Sequence, residues 1–283
     1  MQRWTWEQLH GLAFLTVPSW QARGVQVVFT TRQGGCSADP YQSLNLGLHV
    51  GDDAERVIIN RQRLLNLFGR GLDQMVSCQQ VHGDSVGVVE KKDRGMGALS
   101  DGTAIKGWDA MVTAEPDLVL TTFYADCIPL FFFDPFKRVI AVAHSGWKGT
   151  YLRIAEKTVL AMVDKMGCNP AQIEAFIGPG IGPCCYRIQP DLADKVRDGF
   201  NDFSDIIYED EQGCSWDLKA TNEQILIATG LFKENIISCP LCTACAKEHF
   251  FSYRRDQGIT GRMGAAIALK RLKVKPCKTR RSW

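Results

Sequence analysis

No stretch of this 283-residue chain approaches the length of a membrane span, and neither sign of charge is in excess, with 33 Lys plus Arg against 31 Asp plus Glu. The formal net charge of +2 gives no electrostatic reason to expect nucleic acid or membrane as a partner, which leaves small molecules. The opening MQRWTWEQLHGLAF has no cationic segment feeding an apolar one, so the expected location is cytoplasmic. Repeats, low-complexity tracts and Ser/Gly or Pro linkers are also missing, and a single catalytic domain over 1–283 is expected. Disulfide-framework spacing is absent too: eleven cysteines, an odd number, are scattered irregularly, which points to reduced thiols available for chemistry.

What is present is ordinary globular composition, 45% apolar and 23% charged. Apolar runs predict strands over Val25–Thr30, Val86–Glu90, Leu118–Tyr124, Leu130–Phe133, Val139–Ala143 and Ile173–Ile177. A helix is expected after Thr150, where Leu152, Ala155, Val159, Met162, Val163 and Met166 recur at helical spacing before Gly167. Others are expected over Ala54–Phe68 and near Asp191–Phe200 and Asn222–Thr229. Interleaved strands and helices make the class mixed α and β.

The segment LVLTTFYADCIPLFFFDPFKRVIAVAH, 118–144, holds two apolar runs joined by Asp134-Pro135-Phe136-Lys137, with proline at the favoured second turn position. A turn centred between Pro135 and Phe136 places Cys127 directly opposite His144, with Cβ atoms roughly 4.5–5.5 Å apart. Thiolate and imidazole at that separation can share one metal ion. By the same alternation Asp126 points to the opposite face, which argues against a general acid or base role for it. After His144 the chain reads SGWKGT and enters the expected helix, a loop in which backbone amides and Lys148 can meet an anion. A plain strand-to-helix connection fits that spacing as well.

Seven segments together resemble the YfiH-like (DUF152) family, historically labelled multicopper polyphenol oxidases with a laccase domain. They are TTRQGG (30–35), SLNLGLHVGDD (43–53), QQVHGD (79–84), ADCIPL (125–130), AHSGWKGT (143–150), IGPGIGPCCY (177–186) and FFSYRRD (250–256). The resemblance implies an α+β fold, an αββα layered sandwich with mixed sheets grouped with the cytotoxic necrotizing factor catalytic domain. It also implies one metal ion, expected to be zinc, held by His82, Cys127 and His144, which would be the catalytic centre. Three N/S ligands leave a fourth tetrahedral position open, the arrangement of catalytic zinc sites. The activity implied is phosphorolysis of purine nucleosides (inosine, guanosine, adenosine or 5'-methylthioadenosine), with adenosine deamination as a further activity. Release of L-serine from a cell-wall precursor is the alternative, and a zinc-stapled interaction protein is the non-enzymatic one.

Phosphate needs cationic donors, for which Arg32, Lys148, Arg254 and Arg255 are candidates; Asn45 and His49 are candidates for the pocket wall. Lys148 stands where the family usually has arginine, and Arg187 where an acidic residue commonly follows the tyrosine. Full multicopper chemistry is excluded by histidine count, because it needs about ten imidazoles and this chain has five. Copper is therefore expected only adventitiously. Neither the H-x-E nor the P-C-x-x-C of cytidine-deaminase-type enzymes occurs. Cys239, Cys242, Cys245 and His249 have metal-like spacing, but only the Cys242-Thr243 pair matches the family pattern, so a second metal is not expected. IGPGIGP reads as a rigid loop, since its prolines do not suit a dinucleotide fingerprint.

Overall fold

The structure is a computed structural model that describes residues 3–271; residues 1, 2 and 272–283 of the expected domain lie outside it. Two six-stranded mixed sheets form its centre. The first runs in the order Thr5–Leu9, Leu12–Thr16, Val25–Thr30, Met263–Leu269, Val119–Tyr124, Met75–Ser77. The second runs Ile236–Ser238, Glu174–Ile177, Ile128–Asp134, Val139–Ser145, Ala110–Thr113, Val86–Val88. A small third sheet joins Arg187–Ile188, Gly213–Trp216 and Ile207–Asp210.

Strand alternation divides the apolar residues among three cores and so stacks the layers. Val25, Val27 and Phe29 of the first sheet meet Phe131, Phe133, Ile140 and Val142 of the second in a core between the sheets. The intervening residues Leu130, Phe132, Ala141 and Ala143 face outward and are covered by helices Ile154–Met166 and Leu218–Ala228. On the outer face of the first sheet, Phe14, Val28 and Ala266 pack under Leu64 and Leu65 of helix Ala54–Asn66. The order is therefore helix, sheet, sheet, helix, an α+β fold as expected.

The hairpin register departs from expectation. Asp134 pairs with Val139 and Pro129, not Cys127, lies opposite His144. The Asp134 carboxylate accepts the amides of Phe136 (2.8 Å) and Lys137 (2.9 Å), and Arg138 adopts a left-handed conformation with φ 55°, so the turn closes one residue later than a proline-centred turn would. The slip moves every partner by two positions and therefore leaves each side chain on its face. His144, in register with Ile140 and Val142, points between the sheets, and Cys127 packs against that same inter-sheet core.

The helix expected after Thr150 is interrupted. A short helix Trp147–Tyr151 ends at Leu152, Arg153 takes a left-handed φ of 59°, and the long helix begins only at Ile154. Leu152, expected on its buried face, is exposed. The apolar periodicity did not register this break because Arg153 carries no glycine-like signal. Strand Met263–Leu269, central in the first sheet, was also not legible: MGAAIAL is small-residue-rich, and a Cβ on Gly264 would meet Leu46 Cδ1 at 2.7 Å. Among the described residues no helix is long and apolar enough to cross a membrane.

The inter-sheet core is expected to carry much of the stability. Phe131, fully buried and stacked on Phe176 with centroids 5.7 Å apart, should cost about 3–5 kcal/mol when truncated to alanine. A urea titration will show a lowered midpoint at unchanged slope.

Candidate metal centre and its cleft

Between Tyr124 and Ile128 the chain leaves the first sheet and enters the second, so Cys127 sits where the layer between the sheets opens to solvent. Asp126 makes the crossing in a left-handed conformation, φ 94°. Its carboxylate accepts Thr243 Oγ1 (2.6 Å), Ser252 Oγ (3.0 Å) and the Arg254 amide (2.7 Å), which fixes the crossing and leaves Asp126 an anchor, not a proton carrier. Alternation does not set its direction, since it lies outside both strands.

His144 lies at the end of its strand, buried, and His82 comes from an exposed turn with φ 58°. One ligand atom from each of His82, Cys127 and His144 lies within 4.8 Å of the others, with Cys127 Sγ 3.9 Å from His82 Nε2. A tetrahedral ion with Zn–S of 2.3 Å and Zn–N near 2.0–2.1 Å would set that edge at about 3.6 Å. The donor set thus fits one borderline-soft ion with little movement. Gly146 makes the space: a Cβ there would lie 2.9 Å from Cys127 Sγ and 3.1 Å from His82 Cδ2.

Asp109, missed in the sequence, organises the group. Fully buried at the edge of strand Ala110–Thr113, it accepts His144 Nδ1 at 2.8 Å, the His82 amide at 3.0 Å and the Gly83 amide at 2.8 Å. With Nδ1 engaged, His144 presents Nε2 to the site, the usual carboxylate–histidine support of a metal ligand. A carboxylate opening an otherwise apolar run, WDAMV, is the signal that would have found it. Burial works to raise both the Cys127 thiol and the Asp109 carboxyl, but in each case the neighbouring partners prevail. The charge and hydrogen bond of His144, with help from His82, bring the Cys127 thiol down to about 6. For His144, burial lowers the imidazole, yet Cys127 and Asp109 outweigh it and lift it to about 9.

The three side chains border a cleft of about 580 Å³, within the range of small-molecule sites. Phe123, Trp147, Tyr186 and Tyr253 give it aromatic walls, and Gln79, His49, Arg254 and Arg262 give it polar ones. Of the residues expected here, His49 and Arg254 reach the cleft. Arg32 does not: it lies over Phe251 and donates to the Gln42 carbonyl at a separate surface depression. Asn45 is fully buried outside the cleft, where its side chain accepts the Arg262 amide at 2.9 Å and so braces a residue that does line it. Lys148 is exposed over Trp147, outside the lining. Arg255 pairs with Asp256 and donates to the carbonyls of Thr243, Ala244 and Phe250. Arg187 takes Asp210 as its ion-pair partner, so the residue that departs from the family pattern still forms a local pair. Arg262 was missed because nothing in TGRMG separates it from a surface arginine.

A four-layer α+β fold with a His/Cys/His group at the mouth of its inter-sheet layer defines a protein able to hold a single metal ion beside a small-molecule cleft. Residues 26–270 match the family described as multi-copper polyphenol oxidoreductase laccase. The chain belongs to this family, the YfiH/DUF152 proteins. It is 41% identical over 244 residues, 86% of this chain and 87% of the relative, to a Bacillus subtilis protein named purine nucleoside phosphorylase YlmD. A protein of an unknown prokaryotic organism named adenosine deaminase RL5 is 32% identical, covering 87% of this chain and 95% of the relative. The crystal structure of YlmD from Geobacillus stearothermophilus superposes with a TM-score of 0.89 at 36% identity, covering 96% of this chain and all of that one.

Asp109→Asn removes the charge that orients His144, and metal affinity should fall roughly 10- to 100-fold, read by competition with a chromophoric chelator. Because a lowered thiol is thiolate above its own pKa, alkylation of Cys127 in chelator-treated protein should rise through about pH 6 and then level. Site-resolved mass spectrometry will read it, and in Asp109→Asn the midpoint should move upward as His144 loses its positive charge more easily.

Proposed function

We propose that this protein is a zinc-dependent purine nucleoside phosphorylase, with His82, Cys127 and His144 holding the ion and Arg254 and Arg262 holding phosphate. The observation that carries the reading is one cleft in which an N/S donor group, two guanidinium-bearing residues and four aromatic rings meet. Relatives named purine nucleoside phosphorylase support it, including those of Bacillus subtilis and Escherichia coli.

Phosphorolysis joins a phosphate oxygen to C1' of the ribose and breaks the bond from C1' to the purine nitrogen, which leaves with the electron pair and gains a proton. Two conditions follow for the protein: an anion must be held against the sugar, and water must be kept from competing. Arg262, half-buried, has its guanidinium held by the carbonyls of Thr260 and Gly261. Arg254 has its own held by the carbonyls of Cys185 and Arg187 and lies over Tyr186. Both guanidinium groups are pre-oriented, which reduces the ordering cost of binding phosphate. The rings of Phe123, Trp147, Tyr186 and Tyr253 offer flat apolar surface to a purine and displace water from it. Zinc in the His/Cys/His group would supply Lewis acidity towards an oxygen of the bound substrate. Asp109 maintains the imidazole orientation on which that placement depends.

A second reading, adenosine deamination, is favoured by the relative of that name. The two are separated by phosphate. Inosine, adenosine and 5'-methylthioadenosine incubated with the protein should yield free base and ribose 1-phosphate or its methylthio analogue only when phosphate is present. Arg254→Ala and Arg262→Ala should each raise the KM for phosphate roughly 10- to 100-fold, the loss of a charge-assisted hydrogen bond. Inosine formation from adenosine without phosphate supports deamination, and absence of phosphate-dependent base release refutes phosphorolysis.

A further inference from the structure

A second group of side chains that could hold a metal ion lies outside the cleft lining. Cys184 and Cys185 belong to the loop read as IGPGIGPCCY, and Cys242 and Cys245 to the segment CPLCTAC, almost sixty residues away. Their four Sγ atoms all lie within 4.8 Å of one another. Cys239 and His249, which the linear spacing grouped with Cys242 and Cys245, are elsewhere: Cys239 is fully buried in the inter-sheet core, and His249 packs on Trp6 with ring centroids 5.1 Å apart. The sequence thus held half of the group, and the fold supplies the other half.

We propose that Cys184, Cys185, Cys242 and Cys245 bind one zinc ion as a tetrathiolate structural site, distinct from the His82, Cys127 and His144 group. Cys245 Sγ lies 3.6 Å from Cys184 Sγ and 3.4 Å from Cys185 Sγ. A tetrahedral ion with Zn–S bonds of 2.3 Å sets sulfur–sulfur edges at about 3.8 Å, so a small outward movement of the thiols admits it. Cys245 has two near neighbours at almost equal range, which singles out no disulfide partner. Four sulfurs within 4.8 Å of one another are close enough for one ion to reach them all. The cysteine pair Cys242-x-x-Cys245 has the spacing of zinc ribbons and knuckles.

At Cys242 the surroundings favour thiolate, while burial and the neighbouring sulfurs raise the Cys184 and Cys185 thiols, whose protons a bound ion would displace. Cys242 Sγ accepts the Gly182 amide at 3.2 Å, an N–H to sulfur bond that favours thiolate. Gly182 leaves room for the sulfurs, since a Cβ there would lie 3.3 Å from Cys184 Sγ and 3.7 Å from Cys242 Sγ. Buried Lys219 donates to the carbonyls of Cys239 and Leu241, and its positive charge acts on Cys242 and Cys184. Four thiolates and one zinc ion carry a net charge of −2, which Lys219 and the amide partly offset.

The ion would bind two loops that supply adjoining residues of the cleft wall, Tyr186 from one and Arg254, which lies over it, following the other. Ile181 and Tyr186 flank the first cysteine pair, and Tyr253 and Arg254 follow the second. The Thr243 amide donates to the Gly180 carbonyl at 3.2 Å, and Arg254 Nη1 to the Cys185 carbonyl at 3.3 Å, so the loops already meet at these points. A tetrathiolate zinc would convert that meeting into a staple.

The test counts metal in the full chain, purified under reducing conditions without chelator, by elemental mass spectrometry. Wild type is expected to carry about two zinc ions per chain, Cys245→Ser about one and Cys127→Ser about one. Cobalt-substituted wild type should show the strong thiolate-to-metal charge transfer of four sulfurs, largely retained in Cys127→Ser and lost in Cys184→Ser, a second variant in case Cys245→Ser does not fold. Equal zinc content in wild type and in both Cys184→Ser and Cys245→Ser overturns the proposal. So does a disulfide among the four cysteines in the freshly purified protein, or iron with inorganic sulfide in place of zinc. One zinc in wild type that survives Cys127→Ser but not Cys245→Ser upholds this site and removes the other.

Discussion

The carboxylate of Asp109 is the constraint around which the candidate centre is arranged. One oxygen takes Nδ1 of His144 and the His82 amide, and the other takes the Gly83 amide. Two histidines from distant parts of the chain are thereby referred to a single buried point. A buried carboxylate without such partners would be driven to its neutral form, and here three donors keep it charged. The same charge sustains the imidazolium–thiolate relation between His144 and Cys127. Because an ion takes thiolate and neutral imidazole, metal binding must displace the proton that this pair shares.

The location of the cleft follows from how the sheets are joined. The chain passes from one sheet to the other in only three residues, Ala125 to Cys127, and so must turn sharply at the open end of the inter-sheet layer. Left-handed conformations at Gln80, His82 and Asp126 gather on this border, each a non-glycine residue held by the surrounding hydrogen bonds. The Gln80 side chain exchanges two hydrogen bonds with the backbone of Phe123, tying the His82 turn to the strand that leads to the crossing. Apolar packing of the sheets holds these positions in place; the polar contacts decide which atoms face the cleft.

Residues of the family-like segments that do not themselves line the cleft act on it at one remove. Asn45 in SLNLGLH accepts both the Gly47 and Arg262 amides, and Gly47 leaves room for the arginine, since a Cβ there would lie 2.8 Å from Arg262 Cγ. Arg254 and Arg255 are adjacent and serve different ends, the first at the cleft wall and the second tying down Thr243, Ala244 and Phe250. A sequence motif marks both kinds of residue alike, because loss of a brace displaces the group it braces.

Local pattern was sufficient for what local forces govern. Period-two apolar runs located the strands Val25–Thr30 and Val119–Tyr124, helical spacing located Ala54–Asn66, and face parity put Cys127 and His144 on one side of their hairpin despite a two-residue error in register. The chain alone therefore determined the mixed class and a thiol and an imidazole on a common face; His82 came to the group only through family resemblance. Tertiary structure decided the rest. Asp109 reaches His144 across thirty-five residues, Arg262 reaches the cleft on the support of Asn45 more than two hundred residues earlier, and Cys184 and Cys185 meet Cys242 and Cys245 across a loop-to-loop contact. The physical reason is that a hydrogen bond or a shared ion depends on the distance between atoms in space. Alternation and helical periodicity record only which face a residue takes within its own element.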